Sequence, residues 1–196
     1  MSNCGCYSTA NTKAERKILT IALILNASMF VIGLIAGILA QSTSLIADSL
    51  DMLADAAAYI IGLFAIGRSL RFKAIAANLS GTLLLILGIG ILIEIGRRAW
   101  LGSAPESITM IAVACISLAV NVNVLRLLNR FRKGEVHLRA TWMFTRADVI
   151  VNLGVIVSGA LVALTNSRYP DLIVGFSIGL YVIKESLEIL RDTRKY

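Results

Sequence analysis

Six stretches of this chain are apolar enough and long enough to read as helices in lipid: residues 18–40, 44–67, 79–96, 108–128, 141–164 and 171–190. A short uncharged turn over 41–43 joins the first two, which predicts an antiparallel hairpin. The third stretch is glycine-rich (Gly81, Gly88, Gly90, Gly96), so a neighbour can approach its backbone closely. Backbone in hydrocarbon must satisfy its own hydrogen bonds, so the expected fold is an all-α membrane protein with six transmembrane helices. Residues 1–17 read as a polar cytoplasmic N-terminal tail, 18–190 as the transmembrane domain and 191–196 as a short basic cytoplasmic tail. The first segment is polar and charged, with no apolar core of the kind a cleavable signal peptide carries.

The second stretch breaks the apolar pattern in one narrow place, with Asp48, Asp51 and Asp55. An aspartate at the centre of a membrane helix costs roughly 2.5–3.5 kcal/mol. Each Leu, Ile or Phe returns about 0.3–0.6 kcal/mol, so the apolar residues of this helix do not offset three acids. At about 100° per residue the three acids fall within roughly 60° of one another on the helix circumference. One acidic stripe must face other helices or water, as expected of an ion pathway.

The fifth stretch carries Asp148 and, one turn on, Asn152. At 1.5 Å per residue, Asp55 lies about 16 Å into its helix from outside and Asp148 about 10 Å into its own from inside. Both then sit near the middle of a hydrocarbon layer about 30 Å thick. Two antiparallel helices can thus present Asp51, Asp55, Asp148, Asn152 and Asp48 at nearly one level. Mutually repelling carboxylates of this kind need a divalent cation among them, or must hold protons in its absence.

Composition supports a membrane protein: 57% of residues are hydrophobic and the mean hydropathy is +0.79. The net charge of +7 is a matter of placement. Fourteen basic residues flank one side of the bundle (Lys13, Arg16, Lys17; Arg68, Arg71, Lys73; Arg126, Arg130, Arg132, Lys133, Arg139; Arg191, Arg194, Lys195), against Arg97, Arg98 and Arg168 on the other. That asymmetry predicts both termini in the cytoplasm. It accounts for the basic excess without nucleic acid and favours anionic lipid in the bilayer. The three cysteines, Cys4, Cys6 and Cys115, make no disulfide framework, and reduced thiols are expected.

Other features have bland readings. Cys4-x-Cys6 reads as an inert tail in preference to a soft-metal capture site. His137 reads as a loop residue, and Arg146 as a side chain that snorkels to the interface in preference to a counter-ion for Glu94 or Asp48. Asn26, Asn121 and Asn123 are expected to bond between helices, and Gly33-x-x-x-Gly37 to be a packing motif. Glu185 and Glu188, beside Lys184, need no functional explanation as charges near a helix end.

The stretches SLIADSLDMLADAAAY, VHLRATWMFTRADVIVNLGVI and YPDLIVGFSIGL resemble the cation diffusion facilitators, along the chain from Ile18 to the end of the sixth helix. The resemblance implies a six-helix bundle of that type and a tetrahedral site using Asp51, Asp55 and Asp148. It implies efflux of a divalent transition metal (Zn, Co, Fe, Mn or Cd) in exchange for protons, with no permanently bound cofactor, by a transporter and not an enzyme. An integral, multi-pass protein of the plasma membrane is expected. Phe144 stands where the family usually has a histidine or aspartate, so Asn152, Asp48 or water must complete the shell, and the harder donor set raises cobalt, iron and manganese beside zinc. The sequence ends at Tyr196, so the family's cytoplasmic metal-binding domain is expected to be absent; whether the chain forms a homodimer stays open. A non-transporting metal sensor or subunit is the alternative. An intramembrane aspartyl protease is disfavoured, because Gly88-Ile89-Gly90 is followed by Ile91 and not by aspartate.

Overall fold

The computed structural model describes residues 5–65, 70–129 and 136–193. Cys4 and the side chains of Cys6, His137 and Phe144 lie outside the described residues, as do Arg68, Arg130, Arg132, Lys133, Arg194 and Lys195. Six helices follow in order: α1 Gly5–Leu39, α2 Thr43–Ala65, α3 Leu70–Leu101, α4 Ser107–Leu128, α5 Val136–Thr165 and α6 Tyr169–Thr193. Each expected stretch is helical over its described residues, to within one residue at its ends, and several helices run further than apolarity alone predicts. The polar stretch read as a tail is helical from Gly5, and α3 begins nine residues before the 79 expected for it. Once an apolar segment has nucleated a helix, polar neighbours extend it at little further cost.

Among the described residues, four helices contain segments apolar enough to cross a membrane on composition alone, at Arg16–Leu39, Asn78–Leu101, Ser107–Leu128 and Thr145–Thr165. The other two are the charged ones: α2 with its three aspartates, and α6 with Asp171, Lys184, Glu185 and Glu188. Packing resolves the conflict for α2. It touches all five other helices, and from Ser42 to Ala56 no residue is exposed. The large exposed side chains, such as Ile35, Ile86, Ile116, Ile150 and Ile173, sit instead on the helices around it. Those apolar surfaces suit lipid, while the acidic helix is wrapped by protein.

Small residues bring the helices together. A Cβ on Gly37 would lie 2.8 Å from Ile46 Cγ1 and 2.9 Å from its backbone nitrogen, and one on Gly33 would lie 3.2 Å from Ser49 Cβ. The Gly33-x-x-x-Gly37 face is therefore the α1–α2 seam. Gly81 and Gly88 of α3 pack on Leu190, Ile189 and Ile183 of α6, whereas Gly90 and Gly96 face open space. The glycine-rich face is thus half used. Two apolar clusters result, one built around Leu45, Leu50, Met110 and Val155, the other around Leu19, Tyr59, Val124 and Leu128.

The α1–α2 turn, with Gln41 at φ +50°, delivers Ser42, Thr43 and Ser44 onto Asp171 of α6. Asp171 Oδ1 accepts from the Ser42 and Ser44 hydroxyls, both at 2.6 Å, and from the Ser44 N–H at 3.1 Å. Its Oδ2 accepts from the Thr43 N–H and Thr43 Oγ1, both at 2.7 Å. One fully buried carboxylate thus caps the N-terminus of a neighbouring helix, where the helix dipole favours negative charge. Gly175, one turn further on, lets α6 approach: a Cβ there would lie 2.9 Å from the Thr43 carbonyl carbon. The clasp makes α2 and α6 start at one level and run parallel.

Removing the carboxylate leaves two backbone N–H groups and three hydroxyls to find new partners. At about 1–3 kcal/mol for each buried donor left unpaired, Asp171→Ala should lower the thermal unfolding midpoint of the detergent-solubilised protein by several degrees. Ser177→Ala, which loses only a bond within α6, should not; equal midpoints for the two variants would show that the clasp contributes nothing.

Candidate functional site

Between the two apolar clusters lies a column of polar groups, supplied by the acidic face of α2 and the facing side of α5. Asp48, Asp51, Asp55, Asp148 and Asn152 are all buried, none more than 6% exposed. At the end of the column nearer the clasp, Asn152 Nδ2 donates to Asp48 Oδ1 at 2.7 Å. Asn152 Oδ1 accepts in turn from Asn121 Nδ2 at 3.1 Å. This chain of bonds ties α2 to α5 and α5 to α4. The interhelical role expected of Asn121 is therefore present. Asn26 and Asn123 differ, each bonding a carbonyl one turn back in its own helix.

One turn further along α2, the Asp148 carboxyl lies within hydrogen-bonding range of both Asp51 and Asp55. Two carboxyl groups share a hydrogen bond only when one of them carries a proton. Tyr59 closes this end: its hydroxyl donates to Asp55 Oδ2 at 3.2 Å and meets Thr145 Oγ1 at 3.2 Å. One oxygen each of Asp51 and Asp148, the Oδ2 atoms, is buried with no hydrogen-bond partner. Such atoms are costly unless a proton, water or cation satisfies them.

The five residues expected from the sequence thus gather into one column, with Asp51, Asp55 and Asp148 as its acidic centre and Asp48–Asn152 a turn away. Among the described residues, no three histidine, cysteine, aspartate or glutamate side chains are grouped as a metal ion would need them. Apart from the unmet Oδ2 atoms of Asp51 and Asp148, the carboxyl groups meet each other and neutral partners instead. Glu94, weighed as a partner for Arg146, is bonded by Arg97 at 2.7 Å and Arg98 at 2.6 Å, and Arg146 is exposed.

Four participants were not legible as such. Tyr59 and Thr145 line the column, and Tyr181 and Glu185 approach it from α6. Tyr181 OH donates to Glu185 Oε1 at 2.7 Å, and the Glu185 charge interacts with Asp51 and Asp55. The reading of Glu185 as an ordinary helix-end charge is corrected: it is half-buried and faces the acids, while Glu188, on the exposed side, reaches Lys184 at 3.8 Å. The i, i+4 spacing of Tyr181 and Glu185 was the available signal.

The chain is thus a six-helix membrane bundle with a buried carboxylate column on its central helix. Residues 19–196 match the cation efflux transmembrane domain, and the chain belongs to that family. It is an integral, multi-pass membrane protein. It is 26% identical over 199 residues to the metal cation efflux system protein CzcD of Cupriavidus metallidurans, covering 95% of this chain and 63% of CzcD. It is 24% identical over 180 residues to the zinc transporter ZitB of Escherichia coli, covering 85% of this chain and 58% of ZitB. Its identity to the proton-coupled zinc antiporter SLC30A2 of Mus musculus is 26% over 209 residues, covering 92% of this chain and 56% of SLC30A2. The chain spans about three fifths of the length of these relatives.

The Asp48–Asn152 bond joins a carboxyl group to an amide away from water. A hydrogen bond of this kind contributes about 0.5–1.5 kcal/mol net, so Asp48→Ala and Asn152→Ala should be non-additive in unfolding free energy by about 0.5 kcal/mol or more. Strict additivity in the double-mutant cycle would mean that the two side chains do not interact.

Proposed function

We propose that this chain exports a divalent transition-metal cation across the plasma membrane in exchange for protons, both termini lying in the cytoplasm. The observation that carries the reading is the contact of Asp148 on α5 with both Asp51 and Asp55 on α2, in the middle of a bundle whose other surfaces suit lipid. The kinship with CzcD, ZitB and SLC30A2 agrees with it. A cation arriving from the cytoplasm binds Asp51, Asp55 and Asp148, with Asn152 and Asp48 completing or orienting the shell.

Binding requires the carboxyl groups to leave one another and turn onto the ion. Their protons depart as the metal arrives and return as it leaves, so loading and release form one linked equilibrium. Tyr59 is suited to hold Asp55 while the site is protonated. Asn152, bonded to both Asp48 and Asn121, fixes the side of the column away from Tyr59, a role in which loss of the partner typically weakens metal binding 10–100-fold. The donors are oxygen atoms throughout, which suits Zn²⁺, Co²⁺, Fe²⁺, Mn²⁺ and Cd²⁺ without singling out one of them.

In proteoliposomes, Asp55→Ala should abolish metal flux while the protein still inserts, and flux equal to the unaltered chain would remove the site from the mechanism. The proton linkage has a definite sign. Metal competes with protons for the same oxygens, so affinity must rise with pH, by up to tenfold per unit for each proton displaced. Titration with Zn²⁺ and Co²⁺ between pH 6 and 8 in two buffers of different ionisation enthalpy counts those protons directly. An affinity independent of pH would exclude exchange on these carboxylates.

A further inference from the structure

The transport reading leaves α6 without a role at the site, yet α6 forms its third wall. The clasp gives the register of α6 against α2, because Asp171 and Thr43 bond directly at the start of both helices. Counted from there at 1.5 Å per residue, Asp51 and Asp55 lie roughly 12 and 18 Å along α2, and Tyr181 and Glu185 roughly 15 and 21 Å along the parallel α6. Helical side chains lean towards the N-terminus, which brings the Glu185 carboxyl back by about one turn. Its bond to Tyr181, one turn earlier, shows that lean. The aspartates lean the same way, so the carboxyl stands close to the level of Asp55, and its charge interacts with both Asp51 and Asp55.

The unmet oxygens of two buried acids mark this junction as a place for a ligand. Asp51 and Asp148, only 3% and 4% exposed, each keep an oxygen with no partner. A largely apolar, open cleft of about 390 Å³ between α5 and α6 reaches the Tyr181 side chain but none of the acids. Glu185 has one described hydrogen-bond partner, a neutral hydroxyl that gives it up at small cost.

We infer that Glu185 is a further metal-ligating carboxylate of the site, parked on the Tyr181 hydroxyl and turned onto the divalent cation together with Asp51 and Asp55. This rests on the transport reading and adds to it a ligand from a third helix. It biases the site towards oxygen-preferring ions such as Mn²⁺ and Co²⁺. It also gives α6, fixed to α2 by the clasp, direct contact with the cargo.

The test uses the full chain in detergent, titrated with Co²⁺ and followed by calorimetry and by the visible absorption of bound Co²⁺. Glu185→Gln should weaken Co²⁺ binding at least tenfold and change the absorption spectrum. Glu188→Gln, one turn away and exposed, should change neither. Tyr181→Phe, which frees the carboxylate, should tighten binding two- to fivefold, and Glu185→Asp should recover part of the loss, which guards against a Gln variant that merely folds poorly. Wild-type affinity in Glu185→Gln, with binding lost in Asp51→Asn, would overturn the inference and leave the transport reading standing. A weakened affinity with an unchanged spectrum would also overturn it, since Glu185 would then act only through its field. Absence of Co²⁺, Mn²⁺ and Zn²⁺ binding by the unaltered chain would sink both readings.

Discussion

Everything in this bundle follows from the cost of placing three aspartates on one membrane helix. Lipid offers them neither hydration nor partners, so α2 cannot face it over most of its length. The surrounding helices enclose it, and their own outward faces are left almost purely apolar, as Ile35, Ile86 and Ile150 illustrate. The enclosing helices must also supply hydrogen-bond partners at the right depth. Asn152 and Asp148 of α5 do so at two successive levels along the acidic stripe, and Tyr59, on α2 itself, closes its end. The architecture is thus a consequence of charge placement as much as of apolar packing.

The same accounting explains Asp171, a fifth buried acid handled differently. Its oxygens are met by the N–H groups of Thr43 and Ser44 and by the hydroxyls of Ser42, Thr43 and Ser44. It is satisfied within the fold and has no reason to exchange partners. The α2–α5 acids stand in the opposite condition, with oxygens left over on Asp51 and Asp148. One buried acid is structural because its donors are complete; the others are chemically available because theirs are not.

Much of this was written in the sequence. The period of 3.6 residues fixed the acidic stripe, and a count of depth from opposite ends brought Asp55 to Asp148. The helix ends were less legible, since the polar residues before Ile18 continue α1 instead of ending it. Asp171 was opaque because its donors lie 127 to 129 residues away, where no local pattern reaches. Glu185 was opaque for a different reason. Near a helix end, between Lys184 and Glu188, it has the composition of a solvated run, and only its face, shared with Tyr181, separates it from them.

The packing also bears on how such a site could exchange its contents. The seams of α1 with α2, of α3 with α6 and of α4 with α5 each include a glycine against which a Cβ would collide, at Gly37, Gly88 and Gly159. Interiors packed that closely shift as units and do not deform gradually. The hydrogen bonds between α2 and α5, by contrast, run through side chains: two hydroxyls at Tyr59–Thr145, and elsewhere carboxyl and amide groups, whose partners change with protonation or metal binding. On the proposed reading, the α4–α5 pair can move relative to α2 by trading side-chain bonds at the acids, with no close-packed seam broken. The clasp at Asp171 meanwhile keeps α6 in step with α2, so any ligand that α6 contributes moves with the acids it joins.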